Sequence, residues 1–332
     1  MGQPRMPAEW EPHERTIMAW PCRHELWGET LVQARADHAL TANAIAEFEP
    51  VLMIANAGAD AAQARAACAA GVEVAELPID DSWMRDCGPI FVRDGRGRRS
   101  AVHFRFNAWG EKFAPWDRDA RVGALVAELL GEPVIAAPLV LEGGSICVDG
   151  AGMLLTTEQC LLNPNRNPEL GREELEAALR RYLGPDRILW LGQGLVEDRD
   201  TDGHVDLIAA FAAPGRVVLQ TVPEGNPNFD NCAENRGRLV AAGVEVIELP
   251  FLPYAEVAGE QVAVTYLNYY IVNGAVVVPV TGCGTDDQAL AIIGRAYPGR
   301  EVVAVPGAVL AYGGGGPHCI TQQVPRKSPI DA

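Results

Sequence analysis

The sequence predicts an α/β fold built from five pseudo-symmetric ββαβ units, and three observations support that prediction. An Ala/Leu-rich helix, a glycine and a β-branched strand recur in this order, and the strands begin near residues 72, 134, 187, 244 and 301. A polar or glycine-rich loop follows each strand. After four of the loops the chain reads as a β-hairpin, which argues against the alternative of an open, doubly wound parallel sheet.

The five helices are marked by their composition and by the glycine that follows each one. Glycine at the C′ position adopts the left-handed conformation that ends a helix. Two units are almost identical as text, with GVEVAELP at 71–78 and GVEVIELP at 243–250. The glycines that end the helices are Gly71, Gly131, Gly184, Gly243 and Gly299.

Each predicted hairpin places two apolar runs around a short turn, which is Asp-Gly, Pro-Gly or Asn-Gly. In the fifth unit the chain ends before a second hairpin strand is evident, so a strand at 16–20 is the candidate that completes a ring. We expect residues 1–332 to form a single domain. The predicted hairpin strands are 89–92 with 101–106, 145–148 with 153–157, 206–211 with 216–220, and 268–272 with 275–280.

The composition is ordinary for a soluble globular protein, with 48% hydrophobic and 21% charged residues among 332. No apolar run approaches the roughly 20 residues that cross a bilayer, and the N-terminus lacks the apolar core of a secretory signal. The formal net charge of −17 makes nucleic acid and anionic membranes poor partners. It suits a small cationic substrate, although many cytosolic proteins are acidic for solubility alone.

The eight cysteines do not form a C-x-x-C pair, so a structural zinc site has little support. Free thiols in a chain without a signal peptide predict a reducing, cytoplasmic location.

The loops that follow the five strands predicted to be parallel should lie at one end of the fold, where α/β proteins place their functional sites. Four of the five loops carry reactive or charged side chains. The fourth offers Tyr254 and amides further along, and no chemistry is assigned to it. The candidate site residues of the other loops are Asp80, Trp83, Asp86, Glu142, His204, Asp206 and Cys319.

Cys319 follows a run of glycines that lets another molecule approach the backbone. Its thiol could be a nucleophile, and the alternative is an inert cysteine in a glycine-rich turn. His204 and Asp206 lie two apart in a strand-like segment, which places both on one face. The alternative for this pair is a surface hydrogen bond. In a strand His318 would point away from Cys319, so we do not expect it to act as the base.

Three further side chains have a structural and a functional interpretation. Asp86 either forms a surface ion pair with Arg85 or faces the site while Arg85 faces away. Glu142 is either a turn carboxylate or the group that orients His204. Trp83 is either part of the core or one wall of a pocket.

A planar cation suits these groups. Guanidinium presents five N–H donors in a fixed fork that carboxylates bind bidentately. Its central carbon is electrophilic only while the group is protonated. Two carboxylates would hold that charge and present the carbon to the sulfur of Cys319. The residues therefore predict a cysteine-dependent hydrolase that acts on a small cationic guanidino substrate.

Several longer motifs extend over nearly the whole chain: MPAEWEPH at 6–13, WMRDCGP at 83–89, FNAWG at 106–110, LEGGS at 141–145, LLNPNRNP at 161–168, DGHVD at 202–206 and HCITQQ at 318–323. With them the chain resembles the agmatine deiminase family, in the guanidino-group-modifying (pentein) superfamily that includes peptidyl-arginine deiminases. The resemblance implies a fivefold α/β propeller. It also implies hydrolysis of agmatine to N-carbamoylputrescine and ammonia.

The resemblance implies Cys319 as nucleophile and His204 as general acid/base, with Asp86 and Asp206 gripping the guanidinium and Glu142 supporting His204. Trp83 and Asp80 are further candidates for substrate binding. The resemblance implies no metal and no organic cofactor. A homodimer is the common default for such enzymes.

The chain departs from the usual family text at Glu111, at 226–229 and at Gly316-Pro317. These positions leave the contacts to the substrate tail open. The alternatives are deimination of free arginine or a guanidino acid, transfer of the amidino group to an amine, and a non-catalytic binding propeller. A substrate with a carboxylate would need an arginine or lysine at the pocket mouth.

Overall fold

The computed structural model describes residues 4–327. Its strands are β1 (His13–Ala19), β2 (Val51–Ala55), β3 (Val72–Glu76), β4 (Ile90–Arg93), β5 (Arg99–Arg105), β6 (Val134–Val140), β7 (Ile146–Val148), β8 (Met153–Thr157), β9 (Arg187–Leu191), β10 (Ala209–Ala213), β11 (Arg216–Gln220), β12 (Glu245–Leu249), β13 (Tyr254–Val257), β14 (Glu260–Ala263), β15 (Tyr270–Val272), β16 (Ala275–Val280), β17 (Glu301–Pro306) and β18 (Thr321–Pro325).

The α-helices lie between these strands, and three short 3₁₀ segments occupy Gly28–Thr30, Gly143–Ser145 and Val205–Leu207. The α-helices are α1 (His24–Trp27), α2 (Leu31–Ala46), α3 (Ala59–Ala67), α4 (Met84–Cys87), α5 (Ala108–Glu111), α6 (Asp119–Leu129), α7 (Glu158–Leu161), α8 (Arg172–Leu183), α9 (Phe229–Ala241), α10 (Asp286–Ala296) and α11 (Ala308–Tyr312).

Four three-stranded sheets share one connectivity, in the orders β4-β5-β6, β7-β8-β9, β10-β11-β12 and β15-β16-β17. In each, the first two strands are an antiparallel hairpin and the third is parallel to the second. A long helix (α6, α8, α9 or α10) connects the second strand to the third. This is the ββαβ unit that the sequence predicted.

The two ends of the chain meet in the remaining large sheet, whose order is β18-β1-β2-β3. Strand β1 is antiparallel to β18, with Thr16 opposite Gln323, and parallel to β2. The N-terminal strand therefore completes the unit that the C-terminal strand begins. A separate hairpin pairs β13 with β14. The described chain forms an α/β fold of six distinct sheets rather than one continuous sheet.

The repeated helices bury one apolar face each. In α8 the side chains of Leu175, Leu179 and Leu183 recur every four residues and are almost fully buried, which is the spacing of one helical face. Gly184 ends this helix in the left-handed conformation (φ 75°), and its N–H donates to the carbonyls of Arg180 and Leu179.

In residues 4–327 we find no helix that is both long and apolar enough to span a membrane.

Two of the strand boundaries that differ from the prediction concern loops near the site. The strand predicted at 206–211 begins at Ala209, because residues 205–207 form a 3₁₀ turn. The carboxylate of Asp198 accepts hydrogen bonds from the backbone N–H groups of Thr201, Gly203 and His204. Because these N–H groups bond to a side chain, they do not pair with a neighbouring strand, and the segment before Ala209 stays a loop. The strand predicted at 268–272 begins at Tyr270, which leaves Asn268 in a loop.

Candidate active site

A cavity with about 340 Å³ of empty space, its open mouth included, lies where loops of several units meet. Three of the predicted site residues, Trp83, Asp86 and Cys319, lie in its wall. Trp83 stacks on Trp27 with ring centroids 5.8 Å apart, so it serves both the core and the cavity wall. The full lining comprises Leu26, Asp81, Trp83, Asp86, Trp109, Phe113, Asp200, Thr201, Gly313, Gly314 and Cys319.

Asp86 is held in position by two hydrogen-bond donors. The indole Nε1 of Trp109 donates to Oδ2, and the backbone N–H of Gly144 donates to Oδ1, both over 2.9 Å. The neighbouring Arg85 is also buried, but its Nη1 donates to Oε1 of Gln323 over 2.8 Å, outside the cavity lining. Asp86 therefore faces the site while Arg85 faces away.

His204 lies among three carboxylates and is completely buried. Its Nδ1 is 3.9 Å from Oδ1 of Asp86 and 3.9 Å from Oδ1 of Asp206, and its Nε2 is 3.9 Å from Oε2 of Glu142. A Cβ on Gly144 would lie 2.6 Å from Nδ1 of His204 and 2.9 Å from an oxygen of each aspartate. Glycine at this position thus allows the three groups to converge.

Glu142 is fixed on its other side by Arg166, and both side chains are completely buried. Nε of Arg166 donates to Oε1 of Glu142 over 2.6 Å, and Nη1 donates to Oδ2 of Asp202 over 2.7 Å. The arginine therefore ties Glu142 to the loop that carries His204. Removal of either partner would leave a buried charge without compensation.

Cys319 completes the cluster and is only 3% exposed. Its Sγ donates to Oδ2 of Asp206 over 3.4 Å and accepts a hydrogen bond from Nδ2 of Asn268 over 3.1 Å. Cys319, Asp206, His204, Asp86 and Glu142 thus form one continuous group, although they come from four different loops.

Several polar atoms of this group have no hydrogen-bond partner among the described residues. They are Nδ1 and Nε2 of His204, Oε2 of Glu142 and Oδ1 of Asp206, and all are buried. Buried polar atoms in native proteins are nearly always paired, so an unpaired cluster calls for a specific explanation. A bound cation with several N–H donors would supply the missing partners of the carboxylate oxygens.

Residues 317–320 form a turn, so the strand geometry on which we excluded His318 as the base does not apply. Nδ1 of His318 lies 2.8 Å from Oδ2 of Asp206, and Nε2 lies 2.9 Å from Oε1 of Glu9. Both ring nitrogens are therefore engaged by carboxylates. His318 does not line the cavity.

The sequence pattern of the Porphyromonas-type peptidyl-arginine deiminases matches residues 5–325. The chain belongs to this family. It is 42% identical to an agmatine deiminase of Pseudomonas aeruginosa, over 97% of this chain and 95% of that protein. It is 41% identical to an agmatine deiminase of Stutzerimonas stutzeri, over 96% of this chain and 95% of that protein.

Among solved structures, the chain is similar to the agmatine deiminase of Enterococcus faecalis, with a TM-score of 0.94 and 33% identity. That match covers 98% of this chain and 97% of the other. This member of the Porphyromonas-type peptidyl-arginine deiminase family therefore shares its whole fold with agmatine deiminases.

Charge and burial shift the ionisation of the central groups in this family member. Burial is the main cause that raises the pKa of Asp86, and the carboxylates of Asp206 and Glu142 add to it. Burial alone would lower the pKa of His204, but Asp86, Cys160 and Glu142 outweigh it and the pKa rises well above its ordinary value. Protonated His204 is thus favoured among its anionic neighbours.

Two further groups show opposite shifts. Burial would raise the pKa of Glu142, but the adjacent Arg166 and His204 outweigh it and the pKa is lowered. Burial raises the pKa of the Cys319 thiol well above its usual range, and Asp206 and Asp86 raise it further. The free site therefore favours a neutral thiol beside a charged imidazole.

Asp80 is the predicted site residue that belongs neither to this cluster nor to the cavity wall. It is absent from the cavity lining, and its Oδ2 accepts a hydrogen bond from the backbone N–H of Arg118 over 2.8 Å, at the start of α6. A carboxylate at a helix N-terminus is a typical capping interaction. The next residue, Asp81, lines the cavity instead.

One group of buried side chains has donor atoms close enough to hold a metal ion. Atoms of Glu142, Cys160 and His204 lie within 4.8 Å of one another. However, the guanidinium of Arg166 is 2.6 Å from Glu142 and places a fixed positive charge against this group. That charge opposes a cation, and two of the three side chains already belong to the cluster around the cavity.

The sequence reasoning missed several side chains of the site. Trp109 lies in the FNAWG motif and Arg166 in the LLNPNRNP motif. Their hydrogen bonds to Asp86 and Glu142 join residues that are far apart in the sequence, so the motifs alone did not reveal them. Asn268 comes from the fourth loop, to which no chemistry was assigned. Its position in the repeat could have indicated a role, because this loop lies between the last strand of one unit and the hairpin of the next, as the other site loops do.

Proposed function

We propose that this chain hydrolyses the guanidinium group of agmatine and releases N-carbamoylputrescine and ammonia. The observation that carries the proposal is the cavity itself. Asp81 in its wall is already paired with Arg23 over 3.1 Å. The cavity still presents the Cys319 thiol together with the carboxylates of Asp86 and Asp200, and within residues 4–327 no arginine or lysine contributes to its lining. Such a lining suits a substrate that is cationic at both ends.

The guanidinium would bind between Asp86 and Asp206. Their oxygens converge on Nδ1 of His204, and Oδ1 of Asp206 has no partner among the described side chains. Bidentate contacts to the planar cation would satisfy these oxygens and hold its positive charge. Trp83 and Trp109 in the cavity wall would pack against the planar group.

In the first half-reaction the Cys319 thiol loses its proton to solvent once the cationic guanidinium is bound, and the resulting thiolate forms an S–C bond to the guanidinium carbon, which gives a tetrahedral adduct. One C–N bond then breaks, and its electron pair stays on nitrogen. His204 delivers a proton to that nitrogen, and ammonia leaves. An S-alkylthiouronium group remains on the cysteine.

In the second half-reaction a water molecule gives a proton to His204 and forms a C–O bond to the same carbon. The S–C bond breaks and restores the thiolate, the remaining hydroxyl proton passes to solvent as the C=O bond forms, and the ureido product departs. Glu142 supports His204 in both steps, because its Oε2 faces Nε2 of the imidazole and its Oε1 is held by Arg166. Orientation of this kind contributes several kcal/mol in related intramolecular reactions, on the order of 7 to 11 at best.

Asp200 supports agmatine over substrates that carry a carboxylate. Asp200 lines both the cavity and a second, larger cleft of about 1090 Å³, so it lies at the border between them. A carboxylate there would attract the terminal ammonium of agmatine and repel the carboxylate of arginine or of a guanidino acid. Three arginines could have favoured an acid. Arg85 and Arg166 are buried and paired with other groups, whereas Arg199 lines the second cleft next to Asp200 and is absent from the lining of the cavity.

We also propose that the five repeated sheets surround a common axis as a fivefold α/β propeller within a single domain. Their shared connectivity, the meeting of the chain ends in one sheet and the convergence of loops from several units support this arrangement.

A cytoplasmic location is supported by the cysteines, all eight of which are free in the described chain. A homodimer is proposed by analogy alone.

The test is an ammonia-release assay with purified protein over agmatine, arginine, 4-guanidinobutyrate and butylguanidine. We expect agmatine to have the highest kcat/KM, with one ammonia and one N-carbamoylputrescine formed per turnover. A higher kcat/KM for arginine or the guanidino acid would overturn the assignment of substrate. Transfer of the amidino group to an added amine without ammonia would overturn hydrolysis.

A further inference from the structure

The fourth loop contributes a buried amide that contacts the nucleophile. Asn268 lies between β14 and β15 and is 1% exposed. Its Nδ2 donates a hydrogen bond to Sγ of Cys319 over 3.1 Å, and its Oδ1 accepts a hydrogen bond from the backbone N–H of Cys319 over 3.2 Å. In addition, the N–H of His318 donates to the backbone carbonyl of Asn268 over 3.0 Å. Three hydrogen bonds thus join this loop to the segment that carries the thiol.

The orientation of the amide follows from its partners. The backbone N–H of Cys319 requires an acceptor, so Oδ1 must face it and Nδ2 must face the sulfur. The carbonyl oxygen of Asp206 lies 3.4 Å from Nδ2 and also requires a donor there. A flipped amide would place donor against donor and acceptor against acceptor at these contacts. The N–H group therefore points at Sγ.

A thiolate at this position needs a donor that carries no charge. Burial raises the pKa of Cys319, and the carboxylates of Asp206 and Asp86 raise it further, whereas the N–H of Gly316 and the amide of Asn268 lower it. A cationic donor would neutralise the carboxylates that must bind the guanidinium. A neutral amide stabilises the thiolate without adding a further positive charge next to those carboxylates.

We propose that Asn268 is a further catalytic residue, which donates its side-chain N–H to the Cys319 thiolate and holds the sulfur in place for attack on the guanidinium carbon. This inference deepens the proposed function and rests on it, because it takes Cys319 as the nucleophile. Asn268 does not line the cavity, so its contribution reaches the substrate through the sulfur alone.

The glycine-rich segment before the cysteine makes room for this contact. A Cβ on Gly316 would lie 2.8 Å from Oδ1 and 3.1 Å from Cβ of Asn268, so a larger residue would displace the amide. Gly316 is one of the positions where the chain departs from the usual family text.

The experiment measures alkylation of Cys319 by iodoacetamide, a neutral probe, with the modified peptide quantified by mass spectrometry between about pH 7 and pH 9, where the rate follows the thiolate fraction. Asn268→Ala removes the donor. Asn268→Asp keeps the shape and the acceptor for the Cys319 N–H but places an anionic oxygen against the sulfur. Asn235→Ala is the matched control, because Asn235 is equally buried and bridges the backbone of Gly192 and Gln193.

We expect the alkylation rate of Cys319 to fall about ten- to one-hundredfold in Asn268→Ala and further in Asn268→Asp, in line with a lost hydrogen bond to a charged acceptor. Agmatine turnover should fall in the same order, with kcat affected more than KM. Asn235→Ala should alkylate at the wild-type rate. If Asn268→Ala does not fold, the isosteric Asn268→Asp carries the test.

Wild-type alkylation rates in either folded Asn268 variant would overturn the inference, because a merely structural amide would leave the thiol unchanged. The two proposals fail separately. A wild-type protein that releases no ammonia from agmatine would refute the proposed substrate, whereas the alkylation rates would still report whether Asn268 activates the thiol.

Discussion

Nδ1 of His318 lies 2.8 Å from Oδ2 of Asp206, and the two side chains are buried together. The same carboxylate oxygen accepts a hydrogen bond from the Cys319 thiol, and Oε1 of Glu9 lies 2.9 Å from the other imidazole nitrogen, Nε2. Burial would lower the pKa of His318, but Glu9 and Asp206 outweigh it and raise the pKa. A charged imidazole between two carboxylates thus holds the carboxylate of Asp206 beside the thiol of Cys319.

The first prediction concerns the acid stability contributed by Glu9. Burial would raise its pKa, but His318 and Arg85 outweigh burial and lower it from 4.5 to about 2. A carboxylate with a depressed folded-state pKa stabilises the fold above its unfolded pKa, and this stabilisation is lost as the pH falls from about 4.5 to about 2. The contribution is at most about 3 kcal/mol, since each pKa unit corresponds to about 1.36 kcal/mol.

Urea unfolding of wild type and Glu9→Gln at about pH 6 and about pH 3 measures this contribution. We expect the variant to be less stable at the higher pH and the difference to shrink at the lower pH. Glu25→Gln is the control, because Glu25 is exposed. A stability deficit of Glu9→Gln that is the same at both pH values would contradict the assignment.

The second prediction concerns the nucleophile. Cys319→Ala and Cys319→Ser should each lower ammonia release from agmatine by at least about a thousandfold, because the S–C bond cannot form. Circular dichroism should report an intact fold. Cys68→Ala should retain activity, since Cys68 lies half-buried at the end of α3 and outside the cavity. Near-normal turnover in either Cys319 variant would refute the mechanism.

The third prediction concerns the space beside the thiol. A Cβ on Gly315 would lie 2.7 Å from Cβ and 2.8 Å from Sγ of Cys319, and 2.8 Å from the ring of Trp83. Gly315→Ala should therefore displace the sulfur, lower kcat by at least about tenfold and destabilise the fold by about 1 to 3 kcal/mol. Gly284→Ala is the control, because nothing lies within 4 Å of its added Cβ. Equal kcat values for the two variants would show that the sulfur tolerates the methyl group.

The fourth prediction concerns recognition of the substrate tail. Asp200→Asn should raise KM for agmatine about five- to thirtyfold, the range expected for a partly buried ion pair worth about 1 to 2 kcal/mol. Butylguanidine has the same chain length without the ammonium, so its KM should change little. The comparison uses steady-state kinetics with both substrates. A parallel rise in both KM values would indicate that the substitution disturbs the loop rather than the tail contact.

Much of the fold was predictable because its signals are local. Gly184 ends α8 in the left-handed conformation that only glycine adopts easily, and Asn273-Gly274 turns the hairpin between β15 and β16. The placement of His204 beside Asp206 was also predicted, although for the wrong reason. The two side chains converge across a 3₁₀ turn and not along a strand.

The sequence by itself determined the repeated units and the hairpins and supplied the candidate reactive groups, because helix ends, turns and strand alternation depend on neighbouring residues. The tertiary structure decided which partners those groups have. Asp80 caps α6 while Asp81 lines the cavity, and Asn268 reaches a thiol 51 positions further along the chain. Hydrogen bonds of this kind join loops of different units, and their geometry exists only after the sheets and helices have packed together.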